Sequence, residues 1–300
     1  LSGALGVKLS GPLQVEGALA GSFEAPRLSG TAQLPSLDAD GFSVQEGEMR
    51  FAAREILRAP EGEIELSGDT SLGPLVGDFL YVLEDERLAL SDFSLTSGES
   101  RLSGAATVPL NGAPAKGNFT ADIPALSPWL SLAGFGGSGA LDAEIALSGP
   151  QDGKSGQNAR LKGQMSDFAL TDANDVLFEA ARADLEISAW DLMETPRFTG
   201  KVAAKGLDAG SARLETVTFT ADGGFGAFAF GSSAKGRFRG PLAMETNGKL
   251  TLQGNDTVLE LESLTGRFAG RKLALHAPAR LASAPGALRV EWLDMSYGAG

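Results

Sequence analysis

The chain has 300 residues, a formal net charge of −13, no cysteine and 40 glycines. The acidic balance argues against nucleic acid as a partner, because its phosphates require clustered Lys and Arg. The lack of cysteine excludes a disulfide framework, thiolate metal sites and cysteine nucleophiles. With 43% apolar residues the chain can bury a sizeable core, but no apolar run is long enough for a transmembrane helix.

From Leu13 onward the chain repeatedly alternates apolar and polar residues. This period of two is typical of strands with one buried face and one wet face. Abundant Gly, Pro, Asn-Gly and Asp-Gly stretches separate the strands. We predict about 20 to 24 strands and an all-β fold, because strands recur at the spacing of such proteins. So many strands cannot form one flat sheet, so we expect an elongated, rolled antiparallel sheet with an apolar interior.

The apolar positions of these strands are the predicted lining of that interior. They are Leu13, Val15, Leu19, Met49, Phe51, Ile64, Leu66, Phe119, Ile123, Leu141, Ile145, Leu147, Leu185, Ile187, Leu250, Leu252, Leu273 and Leu275. The interior can be a packed core or an open groove, and the alternation fits both. We expect one elongated, repeat-like segment over 1–300, with sub-blocks 1–133 and 134–300.

Local irregularities predict bulges and short helices. The apolar positions change parity after Leu90 and again after Leu214, so we expect bulges near Asp92 and Glu215. The stretch 123–134 has apolar residues at helical spacing and ends at a glycine, which predicts a short helix before a Gly-rich corner. A weaker helical signal lies at 191–196.

Several stretches imitate functional motifs. Gly134–Gly139 reads GFGGSG, but a strand pattern follows it where a dinucleotide site needs a helix. The stretch with Asp172, Asn174 and Asp175 offers oxygen ligands but lacks the glycine and the distant glutamate of a calcium-binding loop. His276 is the single histidine of the chain, so a histidine metal site is not expected. Carboxylates two residues apart fall on the polar sides of strands; they are Asp38/Asp40, Asp142/Glu144, Asp184/Glu186 and Glu260/Glu262. We therefore predict no enzyme, no cofactor and no metal.

The stretch "LSGPLQVEGALAGSFEAPRLSGTAQLP" from Leu9 resembles the TamB proteins (translocation and assembly module) of the AsmA-like group, which carry strings of such L-x-G units. The tail from Leu264 to Gly300 is similar to a recurrent unit of the same family. The stretch from Pro124 to Leu132, followed by Gly139-Ala140-Leu141, resembles the short helices that interrupt the strands of this family.

This resemblance implies a folded-over sheet, the β-taco, in a periplasmic segment of a longer protein. An inner-membrane anchor outside these residues would hold it in a Gram-negative bacterium. The resemblance also implies that phospholipid acyl chains move along the hydrophobic groove towards the outer membrane. Such lipid transport would serve outer-membrane biogenesis.

Two alternatives stay open. One is a scaffold for assembly or secretion of outer-membrane proteins, with a TamA-like partner contacted through regions outside this chain. The other is a secreted β-solenoid adhesin, although the strand spacing here is irregular and no surface ladder of Asn or aromatic residues recurs.

Overall fold

The computed structural model describes residues 13–39, 42–150, 156–172, 175–253, 256–284 and 287–298. This part of the chain forms an open antiparallel sheet of 20 strands and one short helix. The predicted all-β fold and its antiparallel sheet are confirmed. Two compact units divide the chain: unit 1 comprises 1–135 and 140–155, and unit 2 comprises 136–139 and 156–300.

In unit 1 the strands pair in chain order, each antiparallel to the next. They are β1 (Gln14–Ser22), β2 (Ala25–Ala39), β3 (Phe42–Arg54), β4 (Glu61–Thr70), β5 (Gly73–Glu84), β6 (Arg87–Ser97), β7 (Ser100–Pro109), β8 (Lys116–Ile123) and β9 (Gly136–Ser148), whose residues 136–139 belong to unit 2. Helix α1 (Ser127–Leu132) lies between β8 and β9.

In unit 2 the pairing again follows the chain as far as β16. The strands are β10 (Asn158–Asp172), β11 (Asp175–Trp190), β12 (Arg197–Ala209), β13 (Ala212–Gly224), β14 (Ala227–Phe238), β15 (Pro241–Gln253), β16 (Asp256–Phe268), β17 (Arg271–Leu275), β18 (Ala279–Ala284), β19 (Ala287–Trp292) and β20 (Met295–Gly298). Strand β16 pairs with β17 at one end and with β18 at the other.

Tight turns produce this order. In the β5–β6 turn Asp85 and Glu86 have φ of 49° and 58°, and in the β16–β17 turn Ala269 and Gly270 have φ of 50° and 82°. Two successive positive φ angles are typical of type I′ turns, whose twist matches that of paired strands. At these two turns each strand therefore folds back directly on its predecessor.

Both predicted bulges are confirmed. The β6–β7 register shifts between Leu90 and Phe93, and Asp92 within that step has φ of 49°. The β13–β14 register shifts between Leu214 and Thr216. Each extra residue absorbs the change of parity, so the apolar side chains on both sides of the bulge stay on one face.

The first predicted helix is confirmed as α1, whereas the second prediction is wrong. Residues 191–196 form a turn, because the opposition of Trp190 and Arg197 closes the β11–β12 connection directly around them. Asp191 adopts φ of 54°, which a right-handed helix cannot accommodate. No helix in the described residues is long and apolar enough to cross a membrane.

Candidate functional site

The register places the predicted lining residues of unit 1 on one face, here called the apolar face of unit 1. Residues directly opposite on paired strands point to the same side of a sheet. The predicted residues Val15, Met49 and Leu66 are linked by such pairs through Ala32. The remaining members follow by direct pairing or by alternation along a strand; they are Leu19, Phe51, Ile64, Phe119, Ile123, Leu141, Ile145 and Leu147. Leu13 lies one residue before β1, outside the register of β1 with β2.

Unit 2 has an apolar face built in the same way. Leu185 and Ile187 lie opposite Val202 and Gly200 of β12. Leu250 and Leu252 lie opposite Leu259 and Thr257 of β16, and Leu273 and Leu275 lie opposite Tyr297 and Met295 of β20. The six predicted residues therefore share a face within their unit, and the side chains of the opposite, polar face are mostly charged or hydroxylated.

The apolar faces are only partly covered. No large side chain of the described residues is fully buried, and the buried apolar residues are almost all alanine. They are Ala32, Ala53, Ala106, Ala143, Ala180, Ala183, Ala204, Ala221 and Ala279, with Val44 and Leu126. Larger side chains stay accessible: Val15 is 58%, Leu252 43% and Ile187 37% exposed. A sheet face normally buries such residues against a second layer, and the described residues supply none.

Aromatic rings close over glycines on these faces. In unit 1, Gly104 lies opposite both Phe93 and Phe119, whose ring centroids are 5.8 Å apart. In unit 2, Gly223 lies between Phe198 and Phe228, with centroids 5.7 Å apart. Because the glycine has no side chain, rings two strands apart can meet above it. The aromatic rings thereby cover the glycine backbone between the strands.

Hydroxyl groups lie at the edge of the apolar face of unit 1, where β4 and β6 end and β7 begins. Thr70 Oγ1 and Ser97 Oγ are hydrogen-bonded at 2.9 Å. Trp129 of α1 donates its indole N–H to Ser100 Oγ at 2.9 Å, so the helix is fixed across the end of β7. Both serines are buried, and these bonds satisfy their hydroxyls.

Unit 2 has the most tightly packed part of its apolar face at β10–β13. Ala180, Ala183 and Ala204 are buried together there. Four larger side chains pack against them: Met165, Val202, Leu207 and Val217. The small alanines let these neighbours come together, so this stretch is the nearest approach to a core.

The carboxylate pairs with described side chains lie on the polar faces. Asp142 and Glu144 are exposed, opposite Asp122 and Thr120. Asp184 is paired with Arg182 and Glu260 with Arg280. Asp38 and Asp40 have side chains outside the described residues.

Glu186 is a carboxylate with an altered pKa. It accepts a hydrogen bond from the Arg160 guanidinium. That hydrogen bond and then the charge of Arg160 hold the pKa of Glu186 below its usual range. A fully ionised, paired carboxylate of this kind is a surface contact between β10 and β11.

The other imitation motifs lie at connections. Gly134 follows α1 with φ of 80°, and β9 begins at Gly136, so no helix starts in this stretch. Asp172 lies opposite Asp175 at the β10–β11 turn, and Asn174 lies outside the described residues. His276 follows β17, and its backbone N–H donates to the Asp294 carbonyl at 2.9 Å. Within the described ranges, no three acidic or histidine side chains are placed to hold a metal ion.

Sequence reasoning missed part of the apolar faces, mainly on β5, β10, β12 and β14. Phe79, Leu161, Val202 and Phe230 lie opposite Ile64, Ile187, Leu185 and Ala221 respectively. Their alternation is disguised because outward positions of the same strands are also apolar, such as Leu80 and Ala229. The repeated phenylalanines of 225–230 were the available signal.

Comparisons with known proteins do not assign a relative. No family model, no curated protein and no solved structure matches the chain. The fold and the two apolar faces are therefore the basis for a functional conclusion.

Proposed function

We propose that this chain is a periplasmic segment of a TamB-like protein that holds phospholipid acyl chains for transport from the inner to the outer membrane. The observation that carries the proposal is the partly covered apolar face of each unit, which no second layer of described residues buries. The family resemblance of the sequence supports the same function. An inner-membrane anchor would lie outside the chain, and lipid transport would support outer-membrane biogenesis.

The energetics favour acyl chains as the occupant. Each methylene group removed from water contributes about 0.8 kcal/mol. A face of Leu, Ile, Val and Phe with alanines between them offers this gain along many strands and requires no polar contact. Because the gain is non-directional, lipid can be held at many positions.

The face-specific test uses neighbouring residues of β9. Ile145 is half-buried on the apolar face opposite Phe119, and Glu144 is exposed on the polar face opposite Thr120. A photo-crosslinking residue would be placed at either position of the 300-residue chain, expressed in a Gram-negative periplasm. Adducts would then be identified by mass spectrometry. We expect phospholipid adducts at Ile145 at least tenfold more often than at Glu144.

A matched pair in unit 2 repeats the test. The probe positions here are Leu185, on the apolar face, and exposed Glu186, on the polar face. They occupy opposite faces of β11. Probes at Ile145 and Leu185 that crosslink only to other residues of the protein, and never to phospholipid, would overturn the proposal. The apolar faces would then be packed cores, and a scaffold for protein assembly would be the better interpretation.

A further inference from the structure

A line of basic side chains crosses the polar face of unit 2. Successive register pairs join Lys205 of β12 to Thr216, Lys235, Ala243, Arg267 and finally Lys272 of β17. We call Lys205, Lys235, Arg267 and Lys272 the basic row. Lys205 and Lys272 are more than 60 residues apart in the sequence. The strands between them are about 4.8 Å apart, so the whole row spans about 24 Å.

The basic row differs from four arginines of unit 2 in having no ionic partner within the described residues. Arg160, Arg182, Arg213 and Arg280 each form an ion pair with a nearby carboxylate. None of the four side chains of the basic row does so with any residue in the described ranges. All four are exposed, so their charges are available to a ligand.

The arrangement is unfavourable for the sheet itself. Arg267 lies directly opposite Lys272, and like charges in that position destabilise paired strands. Thr216 and Ala243 separate the other members and contribute no negative charge. The basic row therefore gains no ion pair across these strands that would stabilise the fold.

The same part of the polar face is concave. A depression of about 600 Å³ is lined by Lys235, Arg267 and Lys272 together with the hydroxyl residues Thr216, Ser233 and Thr265. Glu245 is the carboxylate in its lining. Cations combined with hydroxyl donors are the groups that bind phosphate oxygens.

We propose that the basic row is a binding site for the phosphate groups of a linear polyanion in solution. The cations follow a line, so phosphates at intervals along an extended chain can contact them in turn. The depression of about 600 Å³ has room for a segment of such a chain. This site goes beyond lipid holding, because it lies on the face opposite Leu185, Ile187 and the other apolar residues.

The test is binding of fluorescein-labelled inorganic polyphosphate to the 300-residue chain, measured by fluorescence anisotropy at several NaCl concentrations. The double variant Lys235→Gln/Arg267→Gln removes two charges from the row. The matched control Lys201→Gln/Lys249→Gln removes two charges from the same polar face outside the row. Both pairs are exposed, so equal thermal unfolding of the two variants would show that neither change disrupts the sheet.

We expect the row variant to weaken polyphosphate binding at least tenfold and the control less than threefold. The slope of log affinity against log salt should fall by about two in the row variant, since each lost phosphate contact releases about one counterion fewer. Equal losses in both variants, or no salt-dependent binding, would overturn the proposal. Binding to phosphatidylglycerol vesicles without binding to polyphosphate would also overturn it, because the occupant would be a membrane.

Discussion

Units 1 and 2 have similar apolar faces and different polar faces. Each apolar face combines buried alanines with accessible larger side chains, and each has rings meeting over a glycine. Residues 42–150 of unit 1 carry 16 acidic and 6 basic residues, whereas residues 156–298 of unit 2 carry 17 acidic and 16 basic ones. The excess of basic residues in unit 2 lies within 201–275, which carries 7 acidic and 10 basic residues. Since a strand points alternate side chains to opposite faces, one face can keep its apolar character while the other changes charge.

This difference separates the two proposals. Acyl-chain binding depends on a property that both units share, so crosslinks are expected at Ile145 and at Leu185. Polyphosphate binding depends on the basic row, which belongs to unit 2. The depression of about 550 Å³ on the polar face of unit 1 is lined by Glu48, Glu63, Glu65, Asp78 and Asp92 with Arg50, and should repel the same ligand.

The largest expected effect is on the free energy of unfolding of two glycine variants, one in each unit. It tests whether the contact of two rings over a glycine is equally important in both apolar faces. A Cβ atom at Gly104 would lie 2.2 Å from the Asn118 carbonyl oxygen, and one at Gly223 would lie 2.5 Å from that of Ala227. We expect Gly104→Ala and Gly223→Ala each to lower the free energy of unfolding by about 1–3 kcal/mol, measured by chemical denaturation.

Gly226→Ala is the control for both, because no atom lies within 4 Å of its added Cβ. Its change in unfolding free energy should stay within about 0.5 kcal/mol. If only Gly104→Ala lowered the free energy of unfolding, the apolar faces of the two units would not be equivalent. The contact of two rings over a glycine would then stabilise unit 1 alone.

The next effect concerns left-handed residues in both units. Asp92 of β6 has φ of 49° and Asp167 of β10 has φ of 47°. Valine tolerates this conformation poorly, so Asp92→Val and Asp167→Val should each cost about 1–2 kcal/mol. The matched changes to Gly should cost less than half as much. Thermal unfolding would measure all four, and equal stability of the Val and Gly variants would show that these φ angles do not constrain the strands.

The smallest effect sharpens the contrast between paired and unpaired charges. Arg160→Gln removes the hydrogen bond and the charge that lower the pKa of Glu186, so that pKa should rise in an NMR titration. A lowered pKa means that the ionised form is favoured by folding. Its contribution is present above the unfolded pKa and is lost as the pH falls through the folded one. An unchanged pKa in the variant would show that the pair does not persist in solution.

Much of this architecture could be predicted from the sequence. Alternation alone assigned the predicted lining residues to one face within each unit, and shifts of parity located the bulges at Asp92 and Glu215. The turn at 191–196 could not be predicted, because a few residues with helical spacing do not reveal that Trp190 and Arg197 lie opposite each other.

The basic row was equally inaccessible from sequence. Alternation assigns Lys205 and Lys272 to a face but gives no position along their strands. That position depends on every turn and bulge between them, including the register shift at 247–248. Side chains that meet across several strands therefore become visible only with the register.

The strand order of unit 1 has a consequence for how it unfolds. Each of its strands pairs with its neighbours in the chain, so its contacts are local and resemble those of repeat proteins. Such a structure can open one hairpin at a time from an end, as a zipper does. The rate of amide hydrogen exchange should accordingly be lowest in the central strands around β5 and increase strand by strand towards β1. The number of ordered strands in unit 1 can then change gradually with conditions.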